Sequence, residues 1–493
     1  MKTRLFIFWQ AVAIVCTLNQ VFAQTGLLTS SESVAIDNYI ESEMEDRQIP
    51  GLALAISYKG KPIKVQAYGL TDVQNQAPVQ IKTAFELASL TKQFTAAAIM
   101  ILVQEGKLEL DIPLHQYLPD APAGWKGVTV RQLLTHTSGL PALSAGFSGI
   151  AKMQSELLAS LISLNIPTSM AYKAVLSDTL DFAPGSRFSY SDVGYFLLGY
   201  IIEKVSGMSY RAFMAERIFK PSNLHNTYLL DQKNVHPYEA RGYTIQKGKL
   251  VNIQRVFDFE LPSHYGIFST VEDLARWDAV LYSDKVLTSA SKEQMWKAVR
   301  LNDGSTQPYG FGWFVRKINN HFVTFHTGIT GTEIVRLPHD SLSVIVLTNL
   351  GSRLPNDLVR AWELAQGVAK IIGYNLLTGS NYTTADGATV LGATPKLLEQ
   401  LLGTYVTATS TFPIQIEKGS KDSQYRLIYP TGNWDLAPLS NGRFLALNSS
   451  HEYVLEPVRN LNGQIAGIKL HKNGQWLATY TRQHLSTTKA ASR

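Results

Sequence analysis

The most informative stretch of the sequence is Ser89-Leu-Thr-Lys-Gln-Phe-Thr-Ala-Ala-Ala-Ile-Met-Ile-Leu-Val103. It opens with a Ser-x-x-Lys motif and continues as an almost wholly apolar run, which predicts a helix buried on most sides. Residues three apart share one face of a helix, so the Lys92 ammonium should lie beside the Ser89 hydroxyl. A serine hydroxyl is a weak nucleophile and needs an adjacent base. The stretch therefore predicts an activated serine at the start of a buried helix.

Strand patterns lie on both sides of a helical middle region. A hairpin is predicted from Gly51–Tyr58 and 63–68, with its turn at Lys59-Gly60-Lys61. Strands are predicted again at 312–318, 321–327, 332–337 and 342–349, and helices at 33–47, 195–205 and 357–372. This layout predicts an α+β fold, in which helices flank an antiparallel β-sheet and a helical subdomain is inserted.

A separate C-terminal domain follows a segment without periodicity. Residues 373–394 are rich in Gly, Ser, Thr and Asn, which indicates a linker. From 403 to 482, short alternating segments are separated by turn dipeptides such as Asn441-Gly442 and Asn462-Gly463. Hairpin after hairpin predicts a small all-β barrel. The predicted organisation is a first domain at 24–372, the linker at 373–394, the barrel at 395–485 and a tail at 486–493.

The N-terminus resembles a secretory signal peptide. Lys2 and Arg4 precede an apolar run from 5 to 18, and Val21-Phe22-Ala23 ends in small residues at the positions a signal peptidase requires. We expect cleavage after Ala23 and a periplasmic or extracellular protein without a membrane span. An uncleaved anchor is the alternative, although the run is shorter than the ~20 residues that a span needs. The single cysteine, Cys16, lies in this segment, so the mature chain should lack thiol and disulfide chemistry.

Composition and missing motifs exclude several functional classes. The net charge of +6 comes from dispersed basic residues, which argues against a nucleic-acid partner. The chain has no Gly-x-Ser-x-Gly, His-Glu-x-x-His, P-loop or dinucleotide-binding motif. We therefore expect neither a cofactor nor a metal, and the expected partner is a small-molecule, peptide or cell-wall-derived substrate. The sequence predicts no oligomeric state.

A second motif, Tyr190-Ser191-Asp192, lies between a Pro184-Gly185 loop and an apolar helix pattern. A loop entering a buried helix can hold a phenol rigidly at a cleft. The tyrosine pKa of about 10 must fall for base work, and a nearby Lys92 ammonium would lower it. A core aromatic is the alternative role for Tyr190.

Chance copies of both motifs exist in less suitable contexts. Ser-x-x-Lys recurs at Ser289–Lys292 and at Ser486–Lys489, and Tyr-Ser-Asp recurs at Tyr282. The first copy looks like an ordinary helix start, the second lies in a polar tail, and Tyr282 is predicted at the exposed end of a helix. Context therefore favours Ser89 and Tyr190 as the functional copies.

Two histidines are candidates for the same site. His326-Thr327-Gly328 lies on a predicted strand, along whose edge a substrate could bind. A histidine on an apolar strand is more often structural, but the Thr-Gly pair favours a substrate-binding role for His326. His136, in Leu133-Leu-Thr-His-Thr-Ser-Gly139, invites a role in a catalytic triad. We favour a structural histidine there, in a tight loop that ends a helix.

These motifs, in this order, resemble the serine β-lactamase and penicillin-binding protein superfamily. The branch most similar contains class C β-lactamases, D-alanyl-D-alanine carboxypeptidases and related esterases. The likeness runs through much of residues 30–372 and includes Phe85–Lys92, Leu133–Pro141, Pro184–Glu203 and His326–Asn349. The C-terminal part resembles, more weakly, the lipocalin-like barrel that follows the hydrolase domain in some members. The resemblance implies a β-lactamase/transpeptidase-like fold for the first domain.

The resemblance also implies a role for each matching residue. Ser89 would be acylated, with Lys92 and Tyr190 moving the proton. The backbone N–H groups of Ser89 and Ile329 would form the oxyanion hole. The residues expected to contact substrate are Asp192, His326, Thr327 and Gly328.

Departures from the family pattern bear on the substrate. Asp192 stands where the second motif usually ends in asparagine, and an ionised carboxylate accepts hydrogen bonds without donating them. It could also pair with Lys92 and raise the pKa of that lysine, which shifts the base role to Tyr190. His326 replaces the lysine of typical β-lactamases and is mostly neutral at pH 7, so carboxylate recognition should weaken. Bulky His264-Tyr265 replace small residues at the cleft wall.

We therefore expect an exported serine hydrolase that acts on an ester or amide, rather than an efficient β-lactamase. A true β-lactamase or a D-Ala-D-Ala carboxypeptidase is the nearest alternative. A non-turnover penicillin-binding sensor is a second alternative. A third is a degenerate hydrolase domain whose barrel binds the ligand, against which the intact Ser89–Lys92 pair argues.

Overall fold

The computed structural model describes residues 28–144, 164–230, 234–246, 248–253, 257–318, 321–351, 361–373, 388, 398–407, 410–418, 425–429, 432–446, 453–460, 462–472 and 475–483. The expected signal segment and C-terminal tail lie outside these residues, and so does most of the expected linker. The chain forms two compact units, one mainly of residues up to 373 and one mainly of residues from 374.

The first unit is built on a seven-stranded sheet. Its described strands are β1 Gly51–Tyr58, β2 Lys61–Asp72, β3 Ala77–Pro78, β4 Phe85–Glu86, β5 Leu164–Ile166, β6 Tyr228–Leu229, β7 Tyr243–Gln246, β8 Lys249–Asn252, β9 Phe257–Phe259, β10 Ile267–Ser269, β11 Val299–Arg300, β12 Thr306–Gln307, β13 Phe314–Ile318, β14 His321–Gly328, β15 Thr332–Leu337 and β16 Leu342–Thr348. The sheet order is β13-β14-β15-β16-β1-β2-β3, so the first and last strands of the unit are neighbours. The β1–β16 pair is antiparallel and runs from Leu52↔Thr348 to Tyr58↔Leu342.

Helices cover the sheet and form the inserted subdomain. The described helices of this unit are α1 Ser30–Asp46, α2 Thr91–Gln104, α3 Val130–Leu134, α4 Thr168–Val175, α5 Asp192–Ser206, α6 Tyr210–Met214, α7 Val271–Val280, α8 Ser289–Met295 and α9 Ala361–Ile371. None of the helices in the described ranges combines the length and the apolar character that crossing a bilayer requires. The predicted α+β class is confirmed.

Helix α2 is the centre of the core, as its apolar sequence predicts. Every residue from Thr91 to Leu102 is buried, and α2 packs against α5. Burying one large apolar side chain contributes about 1.5–3 kcal/mol relative to leaving it exposed. Helix α5 starts at a Ser191 cap, whose hydroxyl accepts from the Gly194 N–H, and ends at Gly207 with a left-handed φ of 71°. Both helices that carry the first two motifs are therefore fixed by burial.

The second unit is a closed antiparallel barrel of eight strands. These are β17 Gly403–Thr407, β18 Ser410–Lys418, β19 Tyr425–Tyr429, β20 Gly432–Pro438, β21 Phe444–Ala446, β22 Tyr453–Arg459, β23 Ile465–Lys472 and β24 Gln475–Arg482. Pairing of β17 with β24 closes the barrel. Alternate residues such as Leu427, Leu455 and Tyr480 pack in one hydrophobic cluster. The predicted small all-β barrel is confirmed, whereas its likeness to lipocalins stays a prediction.

Candidate active site

Ser89 lies on a tight turn that leads into α2. Residues Ala88–Leu90 form a short 3₁₀ turn, and Ala88 has a φ of +46°, in the left-handed region that alanine rarely adopts. Such a conformation costs about 1–3 kcal/mol and persists only where surrounding contacts enforce it. Here the β14–β15 hairpin supplies those contacts: the Thr330 hydroxyl donates to the Glu86 carbonyl (2.7 Å) and the Thr332 hydroxyl to the Leu87 carbonyl (3.0 Å).

The Lys92 ammonium lies beside Ser89, as the spacing predicts. Its side chain is fully buried, with 0% of its surface exposed. The Nζ atom donates to Ser89 Oγ at 3.1 Å and to the His264 carbonyl at 2.8 Å, and it lies 2.6 Å from Asp192 Oδ1. Lys92 therefore connects the nucleophile to a carboxylate.

Lys92 and Asp192 form an ion pair that keeps both groups charged. Burial is the largest single influence on the pKa of Lys92 and lowers it, but the Asp192 carboxylate and the Tyr190 phenol together outweigh burial, so the net pKa is raised. Burial likewise raises the pKa of Asp192, but the opposing influences, of which Lys92 is the main one, together outweigh burial, so the net pKa is lowered. The geometry thus agrees with the expectation that Asp192 pairs with Lys92. The Asp192 side chain keeps 31% of its surface exposed, so it is also accessible.

Tyr190 lies over the same ammonium, with Lys92 Nζ 4.9 Å from its ring centroid. Its hydroxyl is buried and forms no well-aligned hydrogen bond within the part of the chain that the structure describes. Burial raises the pKa of Tyr190, and the opposing effect of Lys92 is smaller, so the net pKa is raised. The sequence-based expectation of a lowered pKa fails because it considered the charge without the desolvation.

His326 is a buried, neutral histidine. It is 1% exposed, and burial, aided by Lys92, lowers its pKa to about 3. Its Nδ1 lies 2.9 Å from the Thr327 carbonyl, which can only accept, so Nδ1 carries the proton and Nε2 accepts from the Tyr309 hydroxyl at 3.1 Å. His326 therefore offers no positive charge to a substrate.

The rest of the third motif runs against the serine turn. A Cβ at Gly328 would lie 2.4 Å from the Leu87 carbonyl oxygen, so only glycine allows this approach. Thr327 is half-buried, and Ile329 follows the strand with 49% of its surface exposed. Within the described residues, neither Ser89 nor Ile329 donates its backbone N–H to another protein group. Both N–H groups are thus available to a ligand.

The chance copies of the motifs have other surroundings. The Lys292 ammonium donates to the Ser283 carbonyl and to Asp284, and the Ser289 hydroxyl also donates to Asp284. Tyr282 follows the end of α7 at Val280 and precedes the exposed residues 283–285, as predicted, but its own hydroxyl is buried and its ring packs against Arg336. The copy at 486–489 lies outside the described residues. Across those residues, no group of His, Cys, Asp and Glu side chains is arranged to hold a metal ion.

Comparison with known proteins identifies the family. Residues 36–369 match the family model described as Beta-lactamase. The chain belongs to the beta-lactamase family. Protein flp of Staphylococcus aureus (strain MW2) is 29% identical over 342 residues, which span 67% of this chain and 66% of that protein. Penicillin-binding protein 4* of Bacillus subtilis (strain 168) is 32% identical over 330 residues, 64% of this chain and 71% of that protein. The chain thus spans about two thirds of the length of these curated relatives.

Solved structures share the beta-lactamase-family fold. The octameric penicillin-binding protein homologue from Pyrococcus abyssi has a TM-score of 0.61 at 23% identity and covers 92% of this chain and 100% of its own. EstCE1, a hydrolase with promiscuous acyltransferase activity, has a TM-score of 0.58 at 20% identity and covers 69% of this chain and 98% of its own. At these identities the likeness concerns the fold. The superfamily resemblance read from the motifs is confirmed.

Two residues of this beta-lactamase-family site have contacts that the sequence did not predict. His264 was interpreted only as a bulky wall residue, yet its carbonyl accepts from Lys92, and burial lowers the pKa of its ring to about 4. Tyr309 was not singled out, yet its hydroxyl donates to His326. A backbone carbonyl has no sequence signal, and Tyr309 lies in no motif, so only the fold could reveal either contact.

Proposed function

We propose that this beta-lactamase-family protein is an exported serine hydrolase that cleaves an ester or neutral amide through an acyl-Ser89 intermediate. The observation that carries the proposal is the buried Lys92 ammonium, which donates to Ser89 Oγ and lies under the ring of Tyr190. Nucleophilic catalysis requires such an arrangement, in which a nucleophile lies beside a fixed positive charge and a titratable phenol.

The proposed reaction has two displacement steps. Ser89 Oγ attacks the substrate carbonyl carbon while its proton moves to Tyr190, and the tetrahedral intermediate expels the alcohol or amine, which takes up that proton. Water then attacks the acyl carbon, and release of the acid restores Ser89. Because Lys92 is charged and donates to Ser89, it stabilises the alkoxide. Tyr190 in its ionised form is the base. Because burial raises the pKa of Tyr190, only a minor ionised fraction is active at neutral pH, and acylation should become faster as the pH rises.

The developing oxyanion would be held by the backbone N–H groups of Ser89 and Ile329. Removing one such donor typically costs about 3 kcal/mol in the barrier. The hairpin bonds of Thr330 and Thr332 fix the distance between these two N–H groups, because they join the Ile329 turn to the residues before Ser89.

The charges of the site favour substrates without a carboxylate at the reacting end. Lys92 is already paired with Asp192, and the His326 ring, with its pKa lowered to about 3, is neutral at physiological pH. The partly exposed carboxylate of Asp192 would repel an anionic group and accepts hydrogen bonds only. We therefore propose esters and neutral amides as substrates, with Asp192, His326, Thr327 and Gly328 lining the binding site.

Penicillin-binding activity is the second candidate, because one relative is named a penicillin-binding protein and is 32% identical. Slow acylation by a penicillin without turnover would make the protein a sensor. Export rests on the N-terminal segment, and N-terminal sequencing of the secreted protein should find a chain that begins after Ala23.

The decisive experiment is intact-mass detection of covalent adducts. Wild type, Ser89→Ala and the matched control Ser289→Ala are treated with a fluorophosphonate and, separately, with a penicillin. We expect one adduct per chain in wild type and Ser289→Ala and none in Ser89→Ala. No adduct from either reagent in wild type would sink the proposal. Rapid nitrocefin hydrolysis that disappears in Ser89→Ala would favour the β-lactamase alternative.

A further inference from the structure

Tyr190 owes its position to its backbone and its ring contacts. Its buried hydroxyl has no well-aligned hydrogen bond among the described residues and interacts only loosely with Ser89 and Lys92, so the hydroxyl alone holds the side chain weakly. The ring lies 4.2 Å from the ring of His136, centroid to centroid, with 31° between the planes. The position of a phenol that takes a proton must be fixed closely, because a misplacement of about 1 Å can cost about 100-fold in rate, so the source of this rigidity matters for catalysis.

His136 binds the chain on both sides of Tyr190. The backbone N–H of Ser189 donates to the His136 carbonyl at 2.9 Å, and the backbone N–H of Ser191 donates to His136 Nδ1 at 3.0 Å. One residue therefore holds the preceding peptide, the following peptide and the ring. Loss of the Nδ1 acceptor would leave the Ser191 N–H without its partner at the start of helix α5, although the Ser191 hydroxyl would still donate to the Pro141 carbonyl at 2.6 Å.

His136 is itself rigidly placed. It is 1% exposed and has a φ of +58°, a left-handed conformation that costs a histidine about 1–2 kcal/mol. The residues that follow His136 also hydrogen-bond to the loop before α5. The Thr137 carbonyl accepts from the Gly185 N–H at 2.7 Å, and the Ala142 carbonyl accepts from the Asp192 N–H at 2.9 Å. The segment 136–142 thus holds the loop that carries the second motif through backbone hydrogen bonds.

The chemistry of the ring fits an acceptor role. Nδ1 accepts a backbone N–H, so the proton of the neutral imidazole is on Nε2. A protonated ring would turn Nδ1 into a donor and break the bond to Ser191. Burial and the Lys92 ammonium prevent this by lowering the pKa of His136 well below 6.5.

We propose that His136 is a positioning residue for Tyr190: it holds the phenol at Ser89 by accepting the Ser191 N–H and packing on the ring. The inference rests on the proposed function, since it concerns the rate at which Ser89 is acylated. It gives this histidine neither a place in a charge-transferring triad nor contact with substrate.

Three variants separate the acceptor from the ring. His136→Asn puts an amide oxygen near the position of Nδ1 and tolerates a positive φ. His136→Gln carries the same amide one methylene further, away from Nδ1, and His136→Phe keeps a ring without an acceptor. The readouts are the single-turnover acylation rate with a p-nitrophenyl ester, the KM, and the folded fraction from circular dichroism.

We expect His136→Asn to acylate within about tenfold of wild type, and His136→Gln and His136→Phe to be about 100-fold slower at unchanged KM, the loss typical of a misplaced catalytic group. Folded Gln and Phe variants with wild-type acylation rates would overturn the inference, as would an Asn variant as slow as Gln. Absence of acylation in wild type would instead overturn the proposed function.

A measurement on the wild type decides the case if the variants do not fold. The ¹⁵N shifts of the His136 ring should show a neutral imidazole with its proton on Nε2 and an unprotonated Nδ1 throughout pH 5 to 9. A proton on Nδ1 in that range would overturn the inference, because Nδ1 could not then accept from Ser191.

Discussion

Asp192→Asn is the sharpest test of the charge arrangement. It removes the negative charge 2.6 Å from the Lys92 ammonium while keeping the size of the side chain. Burial is the largest influence on the pKa of Lys92 and lowers it, so without the carboxylate the pKa should fall. The Asp192 charge also raises the pKa of Tyr190, which should fall as well. The pKa values of Lys92 and Tyr190, which control the base, should therefore both fall.

The distance and the exposure of Asp192 set the size of the effect. Coulomb's law at an effective dielectric constant of 20 gives about 6 kcal/mol for two unit charges at the 2.6 Å separation of Lys92 and Asp192. Solvent reaches 31% of the Asp192 side chain, and Ser89 and the His264 carbonyl still accept from Lys92, so the net effect is smaller. A close opposite charge usually shifts a pKa by about 1–3 units, or about 1.4–4 kcal/mol. We take that range as the expectation.

The assay is the pH dependence of the rate of the p-nitrophenol burst, from pH 5 to 10. Because the pKa values of Lys92 and Tyr190 are raised, the midpoint is defined for every variant as the pH at which this rate reaches half of the wild-type rate at pH 10. The pH of half-maximal acylation should lie about 1–3 units lower in Asp192→Asn than in wild type. Burial lowers the pKa values of the nearby rings of His136, His264 and His326, so these rings stay neutral over this range and do not contribute. Asp111→Asn, at a surface ion pair with Arg131, is the matched control and should leave the midpoint unchanged.

An unchanged or higher midpoint in Asp192→Asn would refute the claim that the ion pair governs the base. A lower midpoint in Asp111→Asn would show instead that general surface charge, not this contact, controls the ionisation. The amplitude of the burst is not the readout, because Asp192 is also expected to contact substrate.

The remaining predictions concern substrate choice and stability. The Asp192 carboxylate only accepts hydrogen bonds, so it should disfavour amide substrates. Asp192→Asn should therefore raise nitrocefin turnover relative to ester turnover, and an unchanged ratio would show that Asp192 does not select against amides. Burial lowers the pKa of His326 to about 3 in the folded protein, from the ordinary value of 6.5 in the unfolded chain. The contribution of neutral His326 to the free energy of unfolding is therefore complete above pH 6.5 and is lost as the pH falls towards 3. Urea titrations should show a loss of up to about 5 kcal/mol over that range, and a smaller loss in His326→Gln. Asp278→Ala leaves the buried Arg336 without its counter-charge and should cost about 3–5 kcal/mol, whereas Asp111→Ala at the surface should cost under about 1 kcal/mol; equal costs would contradict this account.

Local patterns predicted the elements well, because each depends on residues a few positions apart. The Ser89–Lys92 contact follows from helical spacing, and β1 was predicted with its observed bounds from its run of apolar residues. The pairing of β1 with β16 could not be predicted in this way. Almost three hundred residues separate the paired positions Leu52 and Thr348, and periodicity carries no information about partners at that distance.

The electrostatic state of the site was only half predictable. Sequence could propose that Lys92 and Asp192 pair, since opposite charges on neighbouring motifs attract. The sequence could not predict whether the pKa of Tyr190 is raised or lowered, because desolvation depends on all the side chains that surround the phenol. Burial is a property of the tertiary fold, and it decides which of two opposing effects is larger.

The two departures from the family pattern act on Lys92 in the same direction. A lysine at position 326 would place a second ammonium near Lys92 and lower its pKa, whereas His326 is neutral, with its own pKa lowered to about 3. An asparagine at position 192 would supply no charge, whereas Asp192 supplies a carboxylate that raises the pKa of Lys92. Both changes keep Lys92 protonated, and a protonated amine cannot accept the Ser89 proton. A chain that combines both substitutions must therefore rely on Tyr190 as its base, which makes the rigidity of that phenol a requirement for activity.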